Sequence, residues 1–351
     1  MVERRDLMRA TVAGVAAVAV GVPADVVGQT AQGGQVKPTG PVTSKIAESP
    51  TMKYRPLGRS GERVSLVGLG GFHLAKPGGP SADEATRIVH TALDAGINFC
   101  DNCWDYNDGE SERRLGRALA GGWRDRTMVM TKIDGRTAKA AASQIDESLQ
   151  RLQTDHIDLL QFHEIIRMDD PERVFAPGGA LEAALRAREQ GKIRYIGFTG
   201  HKSPAIHRHM FEVADQHGFH FDTVQMPLNV MDAHYDSFEQ GVLPVATAHG
   251  TGVLGMKTFG DPFILQANVA SPLEMLHYPM SLPISLQVCG IDSLAVLQQA
   301  LVAVRSFQPF TPEQRAELLA KTEAAARDGR TERYKVSTHF DGTTRNPQWL
   351  G

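Results

Sequence analysis

From residue 52 onward, apolar and polar positions alternate in a regular order. MKYRPLGRSGERVSLVGLGG reads as a β-hairpin turning near Gly58–Gly61 and running into a strand over about 64–69. Ser81 with Glu84 three residues on has the capping-box pattern, in which each side chain satisfies a free backbone N–H at a helix start. Ala85, Ile88, Val89, Ala92 and Leu93 then recur at helical spacing up to Gly96, and INFCD follows as a short strand. The same beat continues with a helix over about 111–120, strand TMVMTK (127–132), a helix over about 139–152 and strand IDLLQFH (157–163). Next come a helix closing near Gln190 with Gly191 as its C-cap, strand IRYIGFT (193–199), a helix from Pro204 and strand DTVQ (222–225). A helical stretch near 237–249, strand GVLGMK (252–257), a helix near 272–281, strand ISLQVC (284–289) and a helix from Asp292 to about Val304 complete the run.

This makes eight strand–helix units. Several strands are continuously apolar and none has an interior proline, as expected of parallel strands buried on both faces. A doubly wound sheet also alternates strands and helices. No GxGxxG follows the first strand, however, so the Rossmann phosphate loop is missing. The pattern therefore predicts an α/β fold, a (β/α)8 TIM barrel with an N-terminal hairpin. Residues 311–327 form an extra helix, and 328–351 a polar C-terminal tail.

The start of the chain differs. Arg4 and Arg5 precede an apolar run from Ala10 to about Ala24, which falls short of the ~20 apolar residues of a membrane span. It reads as a twin-arginine-like signal peptide over 1–31, directing export to the periplasm, with an uncleaved anchor or a fortuitous basic start as the plainer readings. Residues 32–51, rich in Gly, Pro, Thr and Ser, read as a flexible linker before a barrel domain over 52–351. With 37 basic and 40 acidic residues the net charge is -3, which offers no footprint for nucleic acid and no polybasic membrane patch. Three cysteines make no disulfide framework. Cys100 and Cys103 bracket Asp101 as C-x-x-C, and read as one core and one loop residue rather than a redox or zinc pair; no metal site is expected. His207 and His209 are two apart on one helix, so they do not share a face for a metal.

In a barrel of this kind the chemistry sits where strands end and βα loops begin. Asp101 ends the second strand, Tyr106 lies in the loop after it, Lys132 ends the third strand and His163 the fourth. A tyrosine hydroxyl has a reference pKa of about 10. A neighbouring lysine cation favours the phenolate, so Lys132 is expected to lower that value, with Asp101 holding the lysine. His163 would orient a substrate oxygen or help Tyr106 pass a proton. Such a tyrosine serves as general acid for reduction and base for oxidation. None of the four carries a hydride, so a cofactor must supply it.

The chain resembles the aldo-keto reductase family over about 52–305. The likeness rests on MKYRPLGRSG, GINFCDNCWDYNDGESERRLG, TMVMTK, HIDLLQFH, GKIRYIGFT and FDTVQMPLN, all in order. It implies a (β/α)8 barrel using NADP or NAD on an aldehyde, ketone or sugar-like alcohol, with Asp101, Tyr106, Lys132 and His163 in the catalytic positions. Thr199 and Gln225 fall where the family contacts the nicotinamide, beside Asp101. Gly200 and His201 stand where the family usually has an asparagine, and GMKTFG replaces its pyrophosphate loop, with Lys257 available to phosphate. After the last strand come Gly290 and Asp292, where NADPH users place a basic clamp for the 2′-phosphate; no Lys or Arg lies between Lys257 and Arg305. Asp292 either accepts from ribose hydroxyls or caps the last helix. Gln299 and Ala300 replace the family's adenine-binding pair. Two further readings are an enzyme that retains its cofactor for internal redox or epimerisation, and a nucleotide-sensing subunit. His73 and Trp104 are expected near the mouth, with the tail over the opening or along the barrel's side.

Overall fold

A computed structural model describes residues 46–351; the signal-peptide reading and most of the linker lie outside these residues. Strands β1 (Tyr54–Pro56) and β2 (Arg63–Ser65) form an antiparallel hairpin. Eight further strands close into a parallel barrel. They are β3 (Val67–Gly70), β4 (Phe99–Asp101), β5 (Met128–Ile133), β6 (Ile157–Phe162), β7 (Ile193–Thr199), β8 (Thr223–Pro227), β9 (Gly252–Met256) and β10 (Leu286–Gly290). They follow one another around the wall in chain order, and β10 closes it by pairing with both β9 and β3. The strand expected over 64–69 is two elements: Val64 and Ser65 belong to the hairpin arm, and β3 starts at Val67. Among the described residues no helix is long and apolar enough to cross a membrane.

The helices begin where side chains cap them. Ser81 and Glu84 make the reciprocal capping box of helix Ala82–Asp94, whose buried face is Ala85, Ile88, Val89, Ala92 and Leu93. Ser203 caps Pro204–Gln216, Ser271 caps Pro272–Met280 and Thr311 caps Pro312–Ala326. The last barrel helix, Leu294–Ser306, is capped by Ser293 rather than Asp292. Asp292 instead pairs with Lys76 at 2.6 Å.

Two cores share the barrel wall. The outer one lies between strands and helices, with Val67, Leu69, Val129, Leu160, Ile196 and Val253 on the strand side. The inner one joins Phe99, Met128, Met130, Leu159, Tyr195, Leu254 and Leu286 to Leu57 and Val64 of the hairpin, which plugs the bottom. Side chains alternate along a strand, so the inward row of β5 runs Met128, Met130, Lys132 and that of β4 runs Phe99, Asp101. Each row is apolar at the bottom and polar at the top. Midway up, Gln161 Nε2 donates to Thr223 Oγ1 at 3.1 Å. Gly197 makes room for this bond, since a Cβ there would lie 2.1 Å from that oxygen.

Candidate active site

At the C-terminal end of the barrel the inward rows finish in Asp101, Lys132, Thr199 and Gln225, with His163 one residue beyond β6. Lys132 Nζ forms a short ion pair with Asp101 Oδ1 and donates to the Asn102 carbonyl at 2.7 Å and to the Tyr106 hydroxyl at 3.3 Å. Gln225 Nε2 donates to the other Asp101 oxygen at 2.9 Å. Asp101 and Lys132 are both buried. Tyr106 sits in the loop after β4, with its ring edge-on to His163 at 6.0 Å and to Phe72 at 5.4 Å. The four residues singled out from strand ends therefore surround one spot.

The electrostatics differ from expectation in one respect. Lys132 does not pull the Tyr106 hydroxyl down. Burial pushes its pKa well above the usual value, and Asp101, Cys103, Asp105 and Glu164 add to the effect. The lysine charge is largely answered by the Asp101 carboxylate, so Tyr106 keeps its proton through the neutral range. For His163, burial alone would lower the pKa, but Asp134 and Asp105 outweigh it and hold the ring above its ordinary value. Its Nδ1 meets Asp134 Oδ1 at 2.9 Å.

Sequence reasoning did not reach the residues that hold this set in place. Asp134, Asp105 and Glu164 sit one or two positions from Lys132, Tyr106 and His163, and that adjacency was the available signal. Arg136, fully buried, pairs with Asp170 at 2.9 Å and donates to the His163 and Glu164 carbonyls. The tail lies over the mouth: Glu164 accepts from the backbones of Gly342 and Thr343 at 2.8 and 2.7 Å. His201 Nε2 meets Asp341 Oδ1 at 3.0 Å, and Lys202 pairs with its other oxygen at 2.9 Å. Burial holds His201 below its ordinary value, so it meets Asp341 as a neutral donor and Lys202 supplies the cation.

The remaining cofactor-binding candidates are dispersed around the rim. Gly200 is packed where a Cβ would lie 2.3 Å from the Ile165 carbonyl oxygen. Lys257 follows β9 with φ +60° and places its ammonium 5.1 Å from the Tyr334 ring and 5.4 Å from Phe340, both of the tail. Gly290 ends β10 against the His73 ring. Lys76, from the loop after β3, brings to Asp292 the basic group that the local sequence lacks. Trp104 donates to Glu147 at 2.9 Å and stacks edge-on with Trp349 of the tail. His207 is buried and His209 half-buried beside Glu172 and Glu212, on different faces of their helix. Cys100 and Cys103 are free and buried.

The site can be tested for fit to a nicotinamide carboxamide, which both donates and accepts. Gln225 Oε1 and Asn102 Nδ2, both buried, lack a partner. The Gln225 acceptor left open beside Asp101 suits the N–H of that group, since buried polar atoms are otherwise paired, whereas the Asn102 side chain packs against Gly71.

A closed eight-stranded barrel with a Tyr–Lys–Asp–His set at its mouth defines a class of barrel enzymes, and the comparisons name it. The profile of the Aldo/keto reductase family matches residues 66–276, and the chain belongs to that family. It is 35% identical over 159 residues to L-galactose dehydrogenase of Arabidopsis thaliana, covering 42% of this chain and 49% of the plant protein. It is 31% identical over 225 residues to 6-dehydroglucose reductase of Novosphingobium aromaticivorans, covering 59% of this chain and 69% of that one. The match thus spans about half the length of the first relative and somewhat over two thirds of the second. In fold, the chain is similar to aldo-keto reductase AKR11C1 from Bacillus halodurans in its holo form. The TM-score is 0.66 at 24% identity, covering 80% of this chain and 99% of that structure.

Proposed function

We propose that this protein is an NAD(P)-dependent oxidoreductase that interconverts a small aldehyde or ketone and its alcohol, with Tyr106 as the proton donor to the carbonyl oxygen. The observation that carries this reading is the convergence of Tyr106, Lys132, Asp101 and His163 on one spot at the barrel mouth. When bound, the reduced nicotinamide supplies a hydride to the carbonyl carbon. Asp101 and the Asn102 carbonyl fix Lys132, and Lys132 holds its ammonium against the phenol oxygen. Tyr106 gives up its proton only as negative charge develops on the substrate oxygen, where the nearby ammonium stabilises the phenolate left behind. Gln225 Oε1 is the group placed to hold the carboxamide. The activities that name the two relatives, on L-galactose and 6-dehydroglucose, support a polyhydroxylated, sugar-like substrate.

Replacing Tyr106 with Phe removes the proton and keeps the ring. Turnover should fall by about 10²–10⁴-fold, the usual worth of a positioned acid–base group, while nucleotide binding persists. Full turnover by Tyr106→Phe in steady-state assays would overturn the reading.

We further propose that preference for NADPH over NADH is weak. Lys76, beside the start of the last barrel helix, is committed to Asp292, and a 2′-phosphate there meets that carboxylate as well. Fluorescence titration with both nucleotides should give dissociation constants of similar size. A tenfold or greater preference for NADPH contradicts the proposal.

A further inference from the structure

Behind His163, on the side of its Nδ1, lies a group of side chains that the proposed reaction does not use. Cys103 Sγ is 3.3 Å from that nitrogen, Asp134 Oδ1 is 2.9 Å away and Asp105 Oδ1 is 3.8 Å away. Asp134 and Cys103 are completely buried, and the Asp105 side chain is 14% exposed. Three acceptors thus converge on one ring nitrogen, which carries at most one proton. The thiol adds one weak donor. Hydrogen bonding alone leaves the group short, and Asp105 Oδ1 and Asp134 Oδ2 are without partners. The nearest cations are engaged elsewhere, Lys132 with Asp101 and Arg136 with Asp170. Buried carboxylates normally have a cation or a full set of donors; a protonated His163 between Asp134 and Asp105 answers one of the two, which leaves the pair one positive charge short.

We infer that Cys103, Asp105 and His163 form a binding site for a divalent transition metal of the zinc class. One thiolate, one imidazole nitrogen and one carboxylate are the donor types that zinc takes, whereas magnesium and calcium select all-oxygen sets. Their nearest donor atoms lie within 4.8 Å of one another. With zinc–sulfur and zinc–nitrogen bonds of about 2.3 and 2.05 Å, a tetrahedral S···N edge is about 3.5 Å, and an N···O edge is a little shorter. Two of the observed edges, 3.3 and 3.8 Å, lie within about half an ångström of these, and the third donor pair lies within 4.8 Å. The ion takes the place of the Nδ1 proton that faces Asp134 Oδ1 at 2.9 Å, and that carboxylate supplies further negative charge around it.

The local backbone holds two of the ligands ready. Trp104 N donates to the Lys132 carbonyl at 3.0 Å, and Tyr106 N to the Cys103 carbonyl at 3.3 Å, which fixes the turn from Cys103 to Asp105. The other cysteine of the C-x-x-C pair takes no part: Cys100 lies within β4 and accepts from Thr127 Oγ1 at 3.5 Å. The site is therefore not a two-cysteine knuckle, and spacing along the chain gave no sign of it. Metal binding displaces the Nδ1 and thiol protons and leaves Nε2 as the one N–H of the His163 ring. Such an ion holds the ring that faces Tyr106 in a single tautomer without itself touching the substrate.

The test uses the full chain, freed of metal with a chelator and titrated with Zn²⁺ against a chromophoric competitor, then with Co²⁺ followed by absorption. The expected result is one equivalent bound more tightly than micromolar. The cobalt form should show the intense visible bands of four-coordination and a sulfur-to-cobalt band in the near ultraviolet. Cys103→Ser should remove the sulfur band and weaken Zn²⁺ binding at least tenfold, and Asp105→Asn should weaken it similarly. Zinc-edge X-ray absorption of the unmutated protein should find one sulfur neighbour, a readout that does not depend on either variant folding. Absence of stoichiometric binding overturns the inference, as does a cobalt spectrum without the sulfur band or binding unaffected by Cys103→Ser, either of which assigns the metal to histidines elsewhere, such as His209.

Discussion

Lys132 illustrates how a buried charge is divided between two duties. Its ammonium touches a carboxylate, a carbonyl and a phenol, and the carboxylate is far the strongest partner. The phenol therefore stays protonated in the resting site, and the lysine acts on Tyr106 mainly as charge appears during the reaction. Replacing Lys132 with Met separates this residue from its neighbours. Turnover falls because the phenolate loses its stabilising cation. Folding stability also falls, by about 3–5 kcal/mol, because Asp101 is left buried and uncompensated apart from Gln225. Tyr106→Phe removes no buried charge partner and should leave stability nearly unchanged. Urea unfolding of both variants beside their kinetics checks the contrast; a Lys132→Met protein of unaltered stability contradicts it.

At the scale of elements, what was legible in the sequence depended on how far the information had to travel. The inward rows of β4, β5 and β8 end in Asp101, Lys132 and Gln225 because a strand of period two carries its own register, and each could be placed from its strand alone. Glu164 and Asp341 could not. Glu164 turns inward from a backbone with φ +46°, and Asp341 reaches His201 across 140 residues of chain. The seat of the tail thus rests on contacts that no local pattern encodes, and it has a definite pH dependence. Burial alone would raise the pKa of Asp341, but bonds from His201 and Lys202 outweigh it and hold the value below normal. For Glu164 burial is likewise outweighed, by His163 and the bonds from Thr343. A carboxylate depressed in the folded state contributes stability that is fully present above its unfolded value, about 4, and is lost as pH falls through the folded value. The tail should remain seated from pH 7 to 5 and loosen below about 4. Hydrogen exchange of the 332–350 amides at pH 7, 5 and 3.5 follows this directly. Asp341→Asn should raise exchange already at pH 7, and a tail whose protection does not change down to pH 3.5 argues against the two carboxylates as its anchors.

For the molecule as a whole, the barrel separates what holds it together from what reacts. The inner core is apolar at the hairpin end, where Leu57 and Val64 pack against Phe99, Met128 and Leu254, and polar at the mouth. Met128 and Lys132 share one inward row of β5, about 13 Å apart at ~3.3 Å per residue. Rigid hydrogen-bonded walls link the two ends, so a cavity at the bottom lowers the stability of the closed barrel without reshaping the mouth. Leu57→Ala tests this division. Leu57 is fully buried, and shortening it should cost about 2–5 kcal/mol, the range for such core truncations. The urea midpoint should drop with its slope unchanged, because the same surface is exposed on unfolding. Below the new transition, kcat and KM should match those of the parent protein, since no group within reach of Tyr106 has moved. If Leu57→Ala instead lowers kcat at temperatures where the barrel is intact, the mouth is mechanically coupled to the hairpin, and the inner core has to be counted as part of the catalytic apparatus.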